Sequence, residues 1–261
     1  MQSFKSGSEV IHFDDKGPKT DFAIIFLNSL GTDIRVWDKL LNVLGDHYRA
    51  VRLDKRGHGL STNYENNISI ENLAKDVGNL VDHLNLKNVC LVGLSIGGLI
   101  ALEFIKQRPK ICKKLILCDT APKIGSTDMW ADRIERVQEG GIEAISDDIL
   151  ARWFSTSFLK DKSDELQMWR SMLTRTTKSG YIGCCEAISR CDLTEQAKII
   201  NLPTLVIVGE EDGSTPVNLV RDAANLIKNS VFKVIEKAGH LPCVEKPNEV
   251  GSTFMQFLEN N

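Results

Sequence analysis

The chain has 261 residues, of which 42% are hydrophobic and 26% are charged, and its formal net charge is −3. This length is typical of one large globular domain, so we expect a single core with room for an insertion. Because the positive charges are scattered and no apolar run approaches the roughly 20 residues of a membrane span, the sequence argues against nucleic acid and membranes as partners.

The N-terminal segment MQSFKSGSEVIHFDD lacks the apolar region of a signal peptide, so we expect a cytoplasmic protein. The seven cysteines are an odd number, which does not suggest a disulfide framework. Cys184 and Cys185 are adjacent, which is not the C-x-x-C spacing of a zinc or redox site. We therefore expect reduced, mostly buried thiols and no metal.

Six short runs rich in β-branched residues predict strands. In chain order they are AIIFL (23–27), YRAVRL (48–53), NVCLVG (88–93), KLILCD (114–119), TLVIVG (204–209) and SVFKVI (230–235). Helical periodicity separates them, as in residues 71–86, where Leu73, Val77, Leu80 and Leu84 share one face. Strands that alternate with helices predict an α/β fold, with a mostly parallel central sheet and helices on both faces.

Residues 122–195 interrupt this alternation, because they contain several amphipathic helix candidates and no convincing strand. We expect an inserted helical cap over residues 122–195, between a first core segment at residues 1–121 and a second at residues 196–261. Such an insertion would lie over the carboxyl ends of the strands, where open α/β sheets bind their ligands.

The segment LVGLSIGG (91–98) contains Gly93, Ser95 and Gly97 in the pattern G-x-S-x-G. This pattern is typical of a tight strand-to-helix turn that raises a serine oxygen above a sheet. Alone it is weak evidence, but here an apolar strand precedes it and an apolar helix follows it. We therefore predict that Ser95 is a nucleophile rather than a helix cap.

A serine nucleophile needs a histidine base within hydrogen-bond distance. Of the five histidines, His240 follows the last predicted strand in AGHLPCVEKP (238–247), on a loop that should lie level with Ser95. His58, in LDKRGHGLS (53–61), is the one rival because it also follows a strand. We favour His240 as the base.

The carboxylate that orients the histidine should follow another strand. The loop after residues 204–209 contains Glu210, Glu211 and Asp212. We favour Asp212, because the glycine turn after it can direct its short side chain back toward the next loop. The resulting chain order of serine, aspartate and histidine is that of the α/β-hydrolase triad.

The oxyanion of an acyl-transfer intermediate is stabilised by backbone N–H donors. Ile96 is one candidate donor, since it begins the helix after Ser95. The second should come from the loop NSLGTDIRVWD (28–38), in which we choose Leu30.

Together these segments resemble the α/β-hydrolases over the whole chain, and in detail the 3-oxoadipate enol-lactonases of aromatic degradation. The Asn28-Ser29 pair, where most α/β-hydrolases have His-Gly, and the segment GYIGCCEAI (180–188) carry the closer resemblance. It implies a serine hydrolase that opens the lactone ring of 3-oxoadipate enol-lactone to 3-oxoadipate through an acyl-enzyme, without a metal or organic cofactor.

Such a substrate carries a free carboxylate, so the resemblance also implies a cation in the pocket. The candidate cations are Arg35, Lys123, Arg133 and Arg152, and the candidate wall residues are Trp130 and Trp153.

The oligomeric state stays open. Two alternatives also stay open: a general carboxylesterase or perhydrolase-like enzyme on the same fold, and a ligand-sensing relative with little turnover.

Overall fold

A single sheet of eight strands forms the centre of the computed structural model, which describes residues 1–64 and 68–260. The strands are β1 (Gln2–Ser6), β2 (Glu9–Lys16), β3 (Phe22–Leu27), β4 (Ala50–Leu53), β5 (Asn88–Leu94), β6 (Cys112–Cys118), β7 (Thr204–Gly209) and β8 (Val231–Ile235). The last six coincide, within a few residues, with the runs predicted from the sequence. The fold is α/β, as expected.

The N-terminal strands β1 and β2 are missed by the sequence analysis. They pair antiparallel with each other, and β2 pairs antiparallel with β4. On β2 the apolar residues Ile11 and Phe13 are buried, while their neighbours Val10, His12 and Asp14 are only half-buried. An antiparallel strand with one solvated face has this weak alternation. Strand β2 therefore does not contain the continuous apolar run that is typical of a buried parallel strand.

Twelve α-helices connect or cover the described strands. They are α1 (Asp38–Leu44), α2 (Ile70–His83), α3 (Ile96–Gln107), α4 (Thr127–Gly140), α5 (Ser146–Trp153), α6 (Thr156–Asp161), α7 (Ser163–Thr174), α8 (Lys178–Arg190), α9 (Thr194–Lys198), α10 (Val217–Leu226), α11 (Pro242–Glu245) and α12 (Pro247–Asn260). Short 3₁₀ helices lie at Ile34–Trp37, Gly45–His47 and Ile142–Ile145. Among the described residues, no helix combines the length and the apolar character that crossing a bilayer requires.

The strand order β1-β2-β4-β3-β5-β6-β7-β8 determines which face each helix covers. The chain moves from β3 outward to β4 through α1, and then back past β3 to β5 through α2. Because parallel crossovers are right-handed, these opposite directions place α1 and α2 on opposite faces. Helix α3 packs beside α2, and α12 packs against α1, so both faces of the sheet are covered.

The direction of the connections reverses between the adjacent strands β3 and β5. Open α/β sheets form their ligand crevice at such a point, outside the carboxyl ends of the strands. The loop after β3 and the turn after β5 therefore meet at the edge where a site is expected. The loops after β7 and β8 end at the same edge because these strands run parallel to β5 and β6.

The connection from β6 to β7 is helical, with α4 to α9 and no strand in it. Helix α8 begins against the loop after β4, where the Thr177 hydroxyl donates to the Gly57 carbonyl at 2.9 Å. Helix α9 packs on α3 and α10, which cover the sheet. All seven cysteines are free thiols, and all but Cys191 are buried.

Candidate active site

Ser95 lies at the sharp turn between β5 and α3. Its backbone has φ of 57° and ψ of −119°, a left-handed conformation that costs a non-glycine residue free energy. The turn brings the helix so close to the sheet that a Cβ on Gly97 would lie 2.1 Å from the Leu27 carbonyl oxygen. The glycine is therefore required by close approach, and the strained turn presents the Ser95 side chain at the carboxyl edge of the sheet.

His240 and Asp212 come together beside this turn. His240 lies between β8 and α11, Asp212 lies between β7 and α10, and His240 Nδ1 is 2.9 Å from Asp212 Oδ2. Both side chains are almost fully buried. Because Nδ1 faces the carboxylate, Nε2 is the ring nitrogen left to act on a proton, and His240 lines the same cavity as Ser95.

The loop after β7 keeps Asp212 ionised. Asp212 Oδ1 accepts hydrogen bonds from the backbone N–H of Ser214 at 2.7 Å and of Thr215 at 2.9 Å, and Oδ2 accepts from the Thr215 hydroxyl at 2.6 Å. Burial acts to raise the pKa of Asp212, but the facing His240 and these hydrogen bonds outweigh it, and the pKa lies below its ordinary value. The site therefore holds a carboxylate against the imidazole.

Two backbone N–H groups near Ser95 have no acceptor among the described residues: that of Leu30, which lines the cavity, and that of Ile96, the next residue in the chain. Both residues are buried, and unpaired buried N–H groups are rare in proteins. Leu30 lines the cavity with Ser95, and Ile96 begins α3, whose N-terminus favours negative charge. The pair is suited to receive an oxyanion.

His58, the rival base, is buried behind the loop after β3 and does not line this cavity. Its Nε2 accepts a hydrogen bond from the Gly31 N–H at 3.1 Å, and its Nδ1 lies 3.1 Å from the Arg56 carbonyl oxygen. Burial and the nearby Lys55 charge lower the pKa of His58 well below its ordinary value. Both ring nitrogens of a neutral His58 are thus occupied in holding the loop.

The cavity has about 460 Å³ of empty space, its open mouth included. The structure brings four of the six candidate substrate-binding residues to it, together with side chains that sequence reasoning did not single out. Its lining comprises Ser29, Leu30, Ser95, Ile124, Met129, Trp130, Arg133, Ile149, Arg152, Trp153, Tyr181, Ile188, Ser214 and His240. The Arg133 guanidinium lies over the Trp130 ring, 4.7 Å from its centre.

Arg35 and Lys123 are not brought to this cavity. Arg35 forms an ion pair with Asp33 in a separate groove that His12 and Asp54 also line. Lys123 lies 3.2 Å from a carboxylate oxygen of Asp192. By contrast, Arg133 and Arg152 form no ion pair within residues 1–64 and 68–260, so they are the cations left for a ligand.

One buried carboxyl group at the site was missed: Asp119, which follows β6. Its Oδ1 accepts a hydrogen bond from the Gly209 N–H at 2.8 Å, and its Oδ2 has no partner if the group is ionised. Burial, reinforced by the charge of Asp212, raises the pKa of Asp119 well above its ordinary value. The signal was present in the sequence, because KLILCD ends a buried strand with a carboxylate.

Comparison with known proteins identifies the family. The family model of the alpha/beta hydrolase fold matches residues 23–247. The chain is 34% identical over 227 residues to 3-oxoadipate enol-lactonase 2 of Acinetobacter baylyi, covering 86% of this chain and 84% of that protein.

Two solved structures are similar along their whole length. The enol-lactonase from Burkholderia xenovorans LB400 matches with a TM-score of 0.94 and 31% identity, over 99% of this chain and 100% of that one. A thermophilic esterase from Thermogutta terrifontis matches with a TM-score of 0.93 and 28% identity, over 100% and 99%. The chain therefore belongs to the α/β-hydrolase family, is an enzyme, and within that family groups with the 3-oxoadipate enol-lactonases.

Proposed function

We propose that this enzyme hydrolyses the lactone ring of 3-oxoadipate enol-lactone and releases 3-oxoadipate. The observation that carries the proposal is one cavity that joins Ser95 and His240 to two arginines with no carboxylate partner among the described residues. A serine and histidine suit a lactone carbonyl, and the arginines suit the carboxylate beside it. The similarity to proteins named enol-lactonases supports the same substrate.

In the proposed acylation, the Ser95 oxygen attacks the lactone carbonyl carbon while His240 Nε2 takes the hydroxyl proton. Asp212 holds the imidazole through Nδ1 and stabilises the imidazolium that forms. The negative oxygen of the tetrahedral intermediate accepts hydrogen bonds from the Leu30 and Ile96 N–H groups. When the intermediate collapses, the ring C–O bond breaks and the leaving oxygen departs as an enolate, a better leaving group than an alkoxide. The enolate takes the proton from the His240 imidazolium, which gives the enol and returns His240 to its neutral form.

In the proposed deacylation, His240 takes a proton from a water molecule that attacks the acyl-enzyme carbonyl. The second tetrahedral intermediate uses the same two N–H donors. Its collapse returns a proton to the Ser95 oxygen and frees the carboxylic acid. The released enol tautomerises to the ketone, so one water is consumed for each lactone opened.

We propose that Arg133 and Arg152 bind the substrate carboxylate. Arg133 is half-buried against Trp130, which limits the orientations of its guanidinium. Arg152 is more exposed, at the last turn of α5, and its backbone carbonyl accepts a hydrogen bond from the Gly213 N–H at 3.2 Å. This bond connects Arg152 to the loop that carries Asp212. The residue proposed to bind the carboxylate therefore contacts the loop that positions the triad aspartate.

We propose that residues 122–195 act as a helical cap on a core formed by residues 1–121 and 196–261. Helices α4 and α5 contribute Trp130 and Trp153, and α8 contributes Tyr181, to the cavity that contains Ser95. In this proposal these large side chains form a cover over Ser95. Such a cover excludes water and determines which acyl group fits.

A general carboxylesterase is the second candidate function, favoured by the similarity to the Thermogutta terrifontis esterase. The test compares kcat/KM for freshly generated 3-oxoadipate enol-lactone with kcat/KM for 4-nitrophenyl acetate. Our proposal predicts at least about a 10²-fold preference for the enol-lactone, the size of effect expected when a charged subsite contributes about 3 kcal/mol. A preference for the aryl ester would contradict the proposed lactonase function and support a general carboxylesterase.

A further inference from the structure

The loop that carries the Leu30 N–H is held from behind by a buried lysine. Lys55 Nζ donates to the Ser29 carbonyl oxygen at 2.6 Å and to the Thr32 carbonyl oxygen at 3.1 Å. Lys55 is 6% exposed and forms no ion pair in the part of the chain that the structure describes. A buried ammonium that forms no direct ion pair is costly, so its two contacts with carbonyl oxygens are important for keeping it charged.

The geometry of the peptide bond connects this lysine to the cavity. The Ser29 carbonyl and the Leu30 N–H belong to one planar trans peptide, so they point in opposite directions. Lys55 and the Thr32 hydroxyl, which donates at 2.9 Å, hold the carbonyl oxygen from behind the loop. Fixing the oxygen there directs the N–H to the opposite side, where Leu30 lines the cavity with Ser95.

A cation on the carbonyl oxygen also changes the donor electronically. Drawing electron density toward oxygen increases the partial positive charge on the N–H of the same peptide, since hydrogen-bonded dipoles polarise one another. The effect is strong where water is excluded. We propose that Lys55 is a positioning residue for the oxyanion site: its ammonium orients and polarises the Ser29–Leu30 peptide, so that the Leu30 N–H binds the oxyanion more tightly.

This proposal rests on the proposed oxyanion role of Leu30. Burial lowers the pKa of Lys55 to about 8, against the opposing effect of nearby acidic groups. The amine is therefore mostly protonated at pH 7 and loses its charge in a range where activity can be measured. The titratable and charged groups that face it from its own loop, the loop after β3, α2 and α8 are Asp54, Arg56, His58, Asp33, Asp76 and Cys184.

The test measures hydrolysis of 4-nitrophenyl acetate, a neutral ester that needs the oxyanion site but not the arginines. For Lys55→Met, which removes the charge at similar length, we expect kcat to fall about 10- to 10²-fold with KM changed less than about threefold. Lys55→Arg keeps a charge and should retain most of the wild-type kcat. Lys19→Met, at an exposed lysine, is the matched control and should leave kcat unchanged.

The pH profile separates polarisation from simple packing. In the wild type, kcat should decline above about pH 8 as Lys55 loses its proton. In Lys55→Arg this decline should be absent up to about pH 10, because arginine stays charged. A lysine that only fills space would lower the melting temperature when replaced but would not move the profile.

Two results would overturn the proposal: a folded Lys55→Met with wild-type kcat, or a wild-type profile that stays flat from about pH 8 to pH 10. The pH profile is measured on the wild type, so this result does not depend on whether a variant folds. If the wild type hydrolyses no aryl ester and takes no fluorophosphonate label, the proposed nucleophile fails and the Lys55 proposal fails with it. Normal wild-type activity without any Lys55 effect overturns the Lys55 proposal alone.

Discussion

A carboxyl oxygen of Asp119 lies within 4.8 Å of one of Asp212, although the two residues follow different strands. His240 offers a nitrogen within the same distance of both. Two buried carboxyl groups this close do not both ionise, because each negative charge opposes the other. The hydrogen bonds of Asp212 favour its ionised form, so Asp119 is the group that keeps a proton.

This division of charge predicts a pH-dependent gain in stability for Asp119→Asn. In the unfolded chain Asp119 ionises near its ordinary pKa of 3.8, whereas the native chain retains the proton. The wild type therefore loses stability as the pH rises above that value, by up to about 1.4 kcal/mol per unit, and asparagine removes the loss. Urea unfolding at several pH values between about 5 and 8 measures the difference.

The advantage of Asp119→Asn should be smallest at the acid end and grow toward neutral pH. The exposed Asp46→Asn is a control whose difference from the wild type should not depend on pH. A constant difference for Asp119→Asn would mean that Asp119 is ionised in the native protein.

Asp212→Asn should leave the fold intact and lower kcat. The amide cannot stabilise the imidazolium and favours the wrong tautomer of His240, which costs about 10³- to 10⁴-fold in other serine hydrolases. Steady-state kinetics with the lactone and with an aryl ester should show the same loss. Glu211→Gln is the matched control, since Glu211 is an exposed neighbour that pairs with Thr156. Equal activity of both variants would remove Asp212 from the mechanism.

Single replacements of His240 and His58 by alanine should show which histidine acts as the base and which supports the loop after β3. His240→Ala should lose kcat by about 10⁴-fold or more, because among the described residues His240 is the only histidine that lines the cavity with Ser95. His58→Ala removes one hydrogen bond to the Gly31 N–H and should cost less than about 10²-fold, the value of one oxyanion donor. If His58→Ala were inactive while His240→Ala stayed active, the assignment of the base would be reversed.

The arginine subsite predicts a difference between charged and neutral substrates. Arg133→Ala and Arg152→Ala should each raise KM for the carboxylate-bearing lactone more than KM for 4-nitrophenyl acetate, because only the lactone carries the charge. Arg35→Ala should change neither value, since Arg35 lies in a separate groove and is paired with Asp33. Equal increases for both substrates would indicate a packing role for the arginines.

The proximity of the proposed triad residues was predictable because parallel strands bring their carboxyl-end loops to one edge of the sheet. The sequence places Ser95, Asp212 and His240 directly after apolar runs, so their meeting follows from the sheet alone. The choice between His58 and His240 was harder, because both follow strands. The hydrogen bonds that engage both ring nitrogens of His58 favour His240, and such contacts depend on three-dimensional packing that residue spacing does not reveal.

The candidate substrate-binding residues could be placed only in part from the sequence. The sequence makes Arg35 and Arg133 equally plausible cations, yet Arg133 lines the cavity whereas Arg35 pairs with Asp33 in a separate groove. Residue spacing does not reveal which cavity a side chain enters. Asp119 ends the predicted strand at residues 114–119, and its position in the sequence does not show that it lies beside Asp212. The charge partition between Asp119 and Asp212 arises from burial, which only the folded structure reveals.

The central claim is that Ser95 opens the ring of 3-oxoadipate enol-lactone, and one assay tests it most directly. Loss of the ultraviolet absorbance of freshly generated enol-lactone is followed with the wild type and with Ser95→Ala at equal concentration. We predict rapid loss with the wild type and a rate no faster than buffer with Ser95→Ala. A wild type that does not outpace buffer would contradict the substrate, and an active Ser95→Ala would contradict the nucleophile.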